Sequence, residues 1–269
     1  MSYIQKKTDK LKRRNRWICF GLICVMAALS VTTVSAAELP HSILQRGSSR
    51  NIELGEEELL KIMGNISENI SNERLCVVLN AYSLQGKISY FWGGKSSVIG
   101  WDDRWGGQSC VTSAGSRSTG TLRPFGLDCS GYVNWVFNNA AGEDTTAKVG
   151  NGTNNQWAKS TAVDGNNAKP GDLAFFADVS HVGIVVGQNE AGRLLVAHCT
   201  SSQNNVVVTE AEATGFRCFR TPDIYNDNNF VQSSQQNSLL NHAILSLEPE
   251  DNPIIEEDKV YIIKSYYSR

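Results

Sequence analysis

Residues 126–134 read GLDCSGYVN and run on through WVFNNAAG to Gly142. A cysteine stands between an acid and a serine where an amphipathic helix begins. Val133, Val136 and Phe137 follow it at helical spacing. Asp128 is the type of residue that caps a helix N-terminus. At such a terminus the unpaired N–H groups and the dipole favour negative charge. Cys129 is therefore expected to have its pKa lowered toward the nucleophilic thiolate. Gly126, Ser130 and Gly131 are small and leave the sulfur accessible. A cysteine so placed still needs partners to do chemistry, and the rest of the chain has to supply them.

Downstream, DLAFFADV, HVGIVVGQ, RLLVAHCT, NVVVTEAE and FRCFRTPD are short β-rich runs separated by turn residues. That spacing predicts an antiparallel sheet. Upstream, SNERLCVVLNAYSLQGK carries Leu75, Val78, Ala81 and Tyr82 on one face, with Ser71 or Asn72 to start a helix and Gly86 to end it. Helices first and strands afterwards predict an α+β fold, in which the nucleophile-bearing helix packs on the antiparallel sheet.

The chain has four histidines. His41 stands near the start of the chain and His242 in a polar tail, whereas His181 and His198 fall at the edges of predicted strands. Alternation puts His181, Gly183 and Val185 on one face, and Leu194, Val196 and His198 on one face. If these strands are neighbours, both imidazoles share a sheet face opposite the Cys129 helix. Nucleophile, base and a group that orients the base would then be complete. The plainer reading has one catalytic histidine and one satisfied core histidine.

Residues 1–36 have the order of a secretory signal. Seven basic residues lead, an apolar run spans Trp17 to about Val31, and VTTVSAAE offers cleavage after Ala36 or Ala37. An uncleaved leader serving as a membrane anchor is the other reading, and the only membrane contact expected. Seven of the 25 basic and one of the 27 acidic residues lie in this leader, which leaves 18 against 26, a net charge of −8. A nucleic-acid partner is excluded on that balance. Of seven cysteines, Cys19 and Cys24 lie in the leader. Cys76, Cys110, Cys129, Cys199 and Cys218 remain, an odd number that leaves room for one reactive thiol. Neither CxxC nor HxxxH spacing occurs, so no metal and no cofactor is expected. Residues 37–71 read as a polar segment with one short surface helix in GEEELLKIMG. Residues 72–222 read as the main domain, and 223–269 as a polar linker and tail ending in KVYIIKSYY.

LDCSGYVNWVF, KPGDLAFFADVSHVGIVVG and LLVAHCTSSQNNVVV, with ISYFWGG upstream, together resemble the NlpC-type cysteine peptidases, papain-like enzymes of the bacterial cell wall. The resemblance covers about residues 72 to 222. It implies Cys129 as nucleophile, His181 as general base and His198 as third polar residue. Tyr90 then approaches the nucleophile, and Asp128, Ser130 and Trp92 line the substrate subsites or support the oxyanion. Asp128 as a simple N-cap, and Tyr90 and Trp92 as core packing, are the plainer readings. The implied substrate is the peptidoglycan stem peptide, cut between γ-D-glutamate and the next diamino acid through a thioester. The implied location is secreted or wall-associated. An N-acetylmuramoyl-L-alanine amidase, an acyltransferase and a non-catalytic wall-peptide binding module are the alternatives. The chain departs from the family in one place. A Gly/Trp-rich insertion, KSSVIGWDDRWGGQSCVTSAGSRSTGTLRPFG, enters just before the nucleophile, as a Trp-pinned flap or a wall of the cleft.

Overall fold

A computed structural model describes residues 52–66 and 70–235. The expected leader, His41, His242 and the KVYIIKSYY stretch lie outside the described residues. In chain order the helices are α1 (Glu56–Asn65), α2 (Asn72–Ser83), α3 (Cys129–Ala141), α4 (Thr146–Val149), α5 (Thr153–Ala158), α6 (Ala211–Thr214) and α7 (Asn228–Gln235). The strands are β1 (Gln108–Cys110), β2 (Leu122–Pro124), β3 (Ser160–Val163), β4 (Leu173–Phe176), β5 (Val182–Gln188), β6 (Leu194–Thr200), β7 (Asn205–Glu210) and β8 (Phe216–Pro222).

Six strands form one sheet in the order β3-β8-β4-β5-β6-β7, antiparallel throughout. One face of β5 and β6, through Val182, Ile184, Val186, Ala197 and Cys199, joins the core built by α2 and α3. This is the α+β, papain-like arrangement expected: the helix that carries Cys129 packs on an antiparallel sheet. Helix α3 is apolar around most of its circumference, with Tyr132, Val133, Trp135, Val136 and Phe137 fully buried. A helix of that kind needs cover on several sides. It receives the sheet on one, α2 on another, and α7 and the insertion on the rest.

The insertion is pinned by tryptophan. Trp101 stacks edge-on against Trp105 at 4.9 Å, and Trp105 meets Trp135 of α3 at 5.7 Å. Beyond these rings the segment carries the two-stranded ribbon of β1 and β2.

Two segments read as polar contribute to the core. Leu59 and Ile62 of α1 are buried, so this helix is packed on the domain by one face. Residues 223–235 are not a linker. Phe230 of α7 is fully buried, 6.0 Å from the Phe137 ring and 5.7 Å from Tyr225. A buried ion pair ties this region to the sheet. Arg74 of α2 reaches Asp172 at 2.9 Å and lies over the Tyr225 ring. Thr221 donates to the same carboxylate, and Tyr225 donates to the Gly171 carbonyl.

Candidate active site

Asp128 caps α3 as its residue type suggests: its Oδ1 accepts the Gly131 N–H at 2.7 Å and the Ser130 hydroxyl at 2.9 Å. Cys129 is the first residue of the helix and is 7% exposed. The segment leading into the cap pairs with residues 89–91. Phe91 N–H donates to the Leu127 carbonyl, and Leu127 N–H to the Ser89 carbonyl. That pairing brings Tyr90 beside Cys129. Burial, then the neighbouring Cys129 and Asp128, push the Tyr90 phenol pKa up. From β6, the Cys199 thiol donates to the Leu127 carbonyl at 3.1 Å and holds the same segment from the sheet side.

The two histidines meet. His181 Nε2 lies 2.9 Å from His198 Nδ1, and His198 Nε2 lies 3.0 Å from Thr209 Oγ1 on β7. Thr214 donates to Thr209 Oγ1, which extends the polar chain one step further. Strand register makes this possible. Ile184 pairs with Ala197, so the next residues along, Gly183 and His198, stand opposite each other. A Cβ on Gly183 would lie 2.5 Å from Val196 Cγ1 and 3.0 Å from His198 Cβ. The absent side chain lets β5 and β6 approach closely where His198 stands. Ahead of His181 the β4–β5 turn is tight, and Val179 takes a φ of 59°. A β-branched residue in that region is strained, and such strain concentrates at functional sites.

The shared sheet face is the one away from α3, which corrects the expected orientation. Alternation puts Val182 and Ile184 against the helix, and His181 with Val185 and Val196 on the other side. There the rings are walled by Phe176, 4.9 Å from His181, and Phe216, 5.2 Å from His198. Among the described residues no hydrogen bond joins the Cys129 sulfur to either ring. The approach is made at the strand end: the N–H of Val182, next to His181, faces the sulfur, as does the N–H of Ser130.

The protonation states follow from burial. Desolvation pushes the Cys129 thiol up to about 11, aided by the Asp128 carboxylate and opposed by those two N–H groups and Lys95. The expected lowering by the helix terminus is thus outweighed. Desolvation holds His181 down to about 4, against the pull of Asp128. It holds His198 to about 3, with the His181 charge acting the same way. Burial thus favours the neutral thiol and the neutral imidazoles over their charged forms.

Trp92 is tied to the insertion. Its Nε1 donates to the Ala114 carbonyl at 2.9 Å, so it fastens the insertion. Asp128 and Ser130 are joined by a residue not singled out from the sequence, Lys95, whose Nζ donates to both. The signal was present, a basic side chain directly after Gly93-Gly94, but only the folded chain places it at the α3 terminus. Cys76, Cys110, Cys129, Cys199 and Cys218 are all free.

A capped helix presenting a cysteine beside a sheet that carries a histidine pair is the arrangement expected of a papain-like cysteine site. Residues 86–212 match the model of the NlpC/P60 family. A γ-DL-glutamyl hydrolase of Bacillus subtilis is 29% identical over 146 residues, covering 51% of this chain and 28% of that protein. A protein described as "probable endopeptidase p60", from Listeria monocytogenes, is 38% identical over 76 residues, 27% of this chain and 15% of that one. The chain thus spans less than a third of these curated relatives. The peptidoglycan hydrolase RipB of Mycobacterium tuberculosis is similar in structure with a TM-score of 0.38, at 23% identity, covering 66% of this chain and 70% of that one.

Proposed function

We propose that the protein is a cysteine endopeptidase that hydrolyses the γ-D-glutamyl–diamino acid bond of peptidoglycan stem peptides. The single observation that carries this reading is the 2.9 Å His181–His198 pair, which sits at the strand end whose next N–H faces the Cys129 sulfur. The match to the family model and the γ-glutamyl chemistry in the name of the Bacillus relative support the same bond class.

In this mechanism Cys129 attacks the γ-carbonyl while its proton passes to His181. His181 is neutral at working pH, as a general base must be. His198 fixes the ring by occupying Nε2, which leaves Nδ1 for the proton transfer. The tetrahedral oxyanion is met by the Cys129 N–H with Tyr90 nearby. Collapse expels the diamino acid amine, which takes the proton from His181, and leaves a thioester. Water, deprotonated by His181, then releases the glutamate carboxylate and restores the thiol. Because burial favours the neutral thiol, attack and proton transfer are coupled in this mechanism.

We further propose that the leader of residues 1–36 exports the protein to the cell wall. The N-terminal residue of the exported protein decides between cleavage and anchoring. Digestion of purified sacculi, with mass spectrometry of the new ends, tests the bond: a free γ-D-glutamyl carboxylate is expected, and a new muramic acid end would indicate an amidase. Cys129→Ala is expected to keep the fold and lose at least about 10³-fold in turnover. Fragment release at the wild-type rate by that variant would end the assignment. The raised thiol pKa is the one observation that favours a second reading, a module that holds wall peptide without cutting it. On that reading wild type and Cys129→Ala bind stem peptide equally and neither yields fragments.

A further inference from the structure

We propose that Lys95 selects the substrate, by receiving the carboxylate that a γ-linked glutamate leaves free beside the scissile amide. This rests on the γ-glutamyl hydrolase reading above. Lys95 opens the insertion, and its Nζ lies 2.5 Å from Asp128 Oδ1 and 2.6 Å from Ser130 Oγ, the residues on either side of the nucleophile. The chain that brings it there lies flush against α3. Asp128 N–H donates to the Gly94 carbonyl at 3.1 Å. A Cβ on Gly131 would lie 2.1 Å from the Gly94 oxygen and 3.0 Å from Lys95 Cδ, so glycine at that position seats the lysine.

The position decides the charge that the subsite offers. Asp128 alone would repel an anion and attract an amine. With Lys95 on it, the pair is neutral and that repulsion is cancelled. An ammonium has three N–H donors, and Asp128 and Ser130 take two. The third is left on a side chain that is 35% exposed, whereas Asp128 is 11% exposed. The reachable donor of the cluster is therefore cationic, and the carboxylate behind it is covered.

A glutamate linked through its γ-carboxyl keeps its α-carboxylate, on the same residue whose carbonyl is attacked. A charge-assisted hydrogen bond is roughly twice as strong as a neutral one. Replacing that carboxylate by an amide is therefore expected to weaken recognition by about tenfold. Lys95 is thus a reader of the group next to the bond, in addition to its pull on the Cys129 thiol.

Two synthetic stem peptides that differ only in D-glutamate against its α-amide, D-isoglutamine, test the proposal. Wild type is expected to cleave the carboxylate form with kcat/KM about tenfold higher, the difference lying in KM. Lys95→Gln should erase the preference and Lys95→Arg should keep most of it. A second readout needs no turnover: the ratio of Cys129 alkylation rates by iodoacetate and iodoacetamide. The charged reagent should lose several-fold against the neutral one in Lys95→Gln, whatever happens to the thiol itself. An unchanged peptide preference in Lys95→Gln, or a wild-type preference for the amide, overturns the role of Lys95. If wild type cleaves neither peptide, the hydrolase reading fails, and the alkylation ratio alone then decides whether Lys95 receives an anion: an unchanged ratio rejects it, a lowered one upholds it.

Discussion

At the scale of the residue, Cys129 shows two electrostatic effects in competition. A helix terminus is worth typically ~0.3–1 kcal/mol to a charge, whereas full burial shifts an ionisable group by up to ~3–5 pKa units. Here burial wins, and the cap adds to it: the Asp128 carboxylate that satisfies the Gly131 N–H also sits against the developing thiolate. The sequence shows the cap and the terminus, but not how completely α3 is covered. That is why the thiol lies near 11 and not below its ordinary 9.0. The expected consequence is kinetic. Alkylation of Cys129 by iodoacetamide in the free protein should rise about tenfold per pH unit from neutral pH toward pH 10, following the thiolate fraction. A rate that levels off near neutrality would mean a preformed thiolate and would reverse the order of the two effects.

At the scale of the element, strand periodicity carried much of the site. A period of two along β5 and β6 identifies the faces of His181 and His198, and antiparallel neighbours of matched register make them meet. The side of the sheet was not legible, because a period of two distinguishes two faces without naming the one that the helix covers. Strands β1, β2 and β3, of three, three and four residues, were also missed. Runs so short hold too few alternations to register. The Gly183 position concentrates what the register requires. Gly183→Ala would place its methyl 2.5 Å from Val196 Cγ1 and 2.8 Å from the Ala197 oxygen. Overpacking of this kind typically costs ~1–3 kcal/mol, and relief requires β6 to move with His198 on it. The variant should therefore unfold at lower denaturant and lose kcat beyond its loss of stability. Thermal and denaturant midpoints beside steady-state kinetics check both parts, and unaltered kinetics in a folded variant would show that the His198 placement tolerates the methyl.

At the scale of the whole molecule, composition misled where a single side chain mattered. The tract from Asp223 is polar on average, yet Phe230 packs against Phe137 and Tyr225 and covers a side of α3 that the sheet does not reach. The family motifs sit elsewhere, so neither pattern nor resemblance pointed to it. The same dense packing sets the pH response of the molecule. His181 and His198 are buried as neutral rings between Phe176 and Phe216, with folded pKa values depressed from 6.5 to about 4 and about 3. Between pH 6.5 and about 4 the unfolded chain therefore binds protons at these two sites that the folded chain refuses. Stability rises with pH wherever the unfolded state binds more protons. The contribution is thus fully present above pH 6.5 and is lost as pH falls toward 4. Each such histidine contributes a slope of up to ~1.4 kcal/mol per pH unit in that window. Asp102, Asp144, Asp178 and Asp227 are all held below the ordinary 3.8 and titrate beneath it. His198→Gln keeps an acceptor for His181 and removes one of the two sites. Urea unfolding at several pH values between 4.5 and 7 should then show a slope about half that of the wild type, and equal slopes would mean that the pair is already solvated in the folded protein.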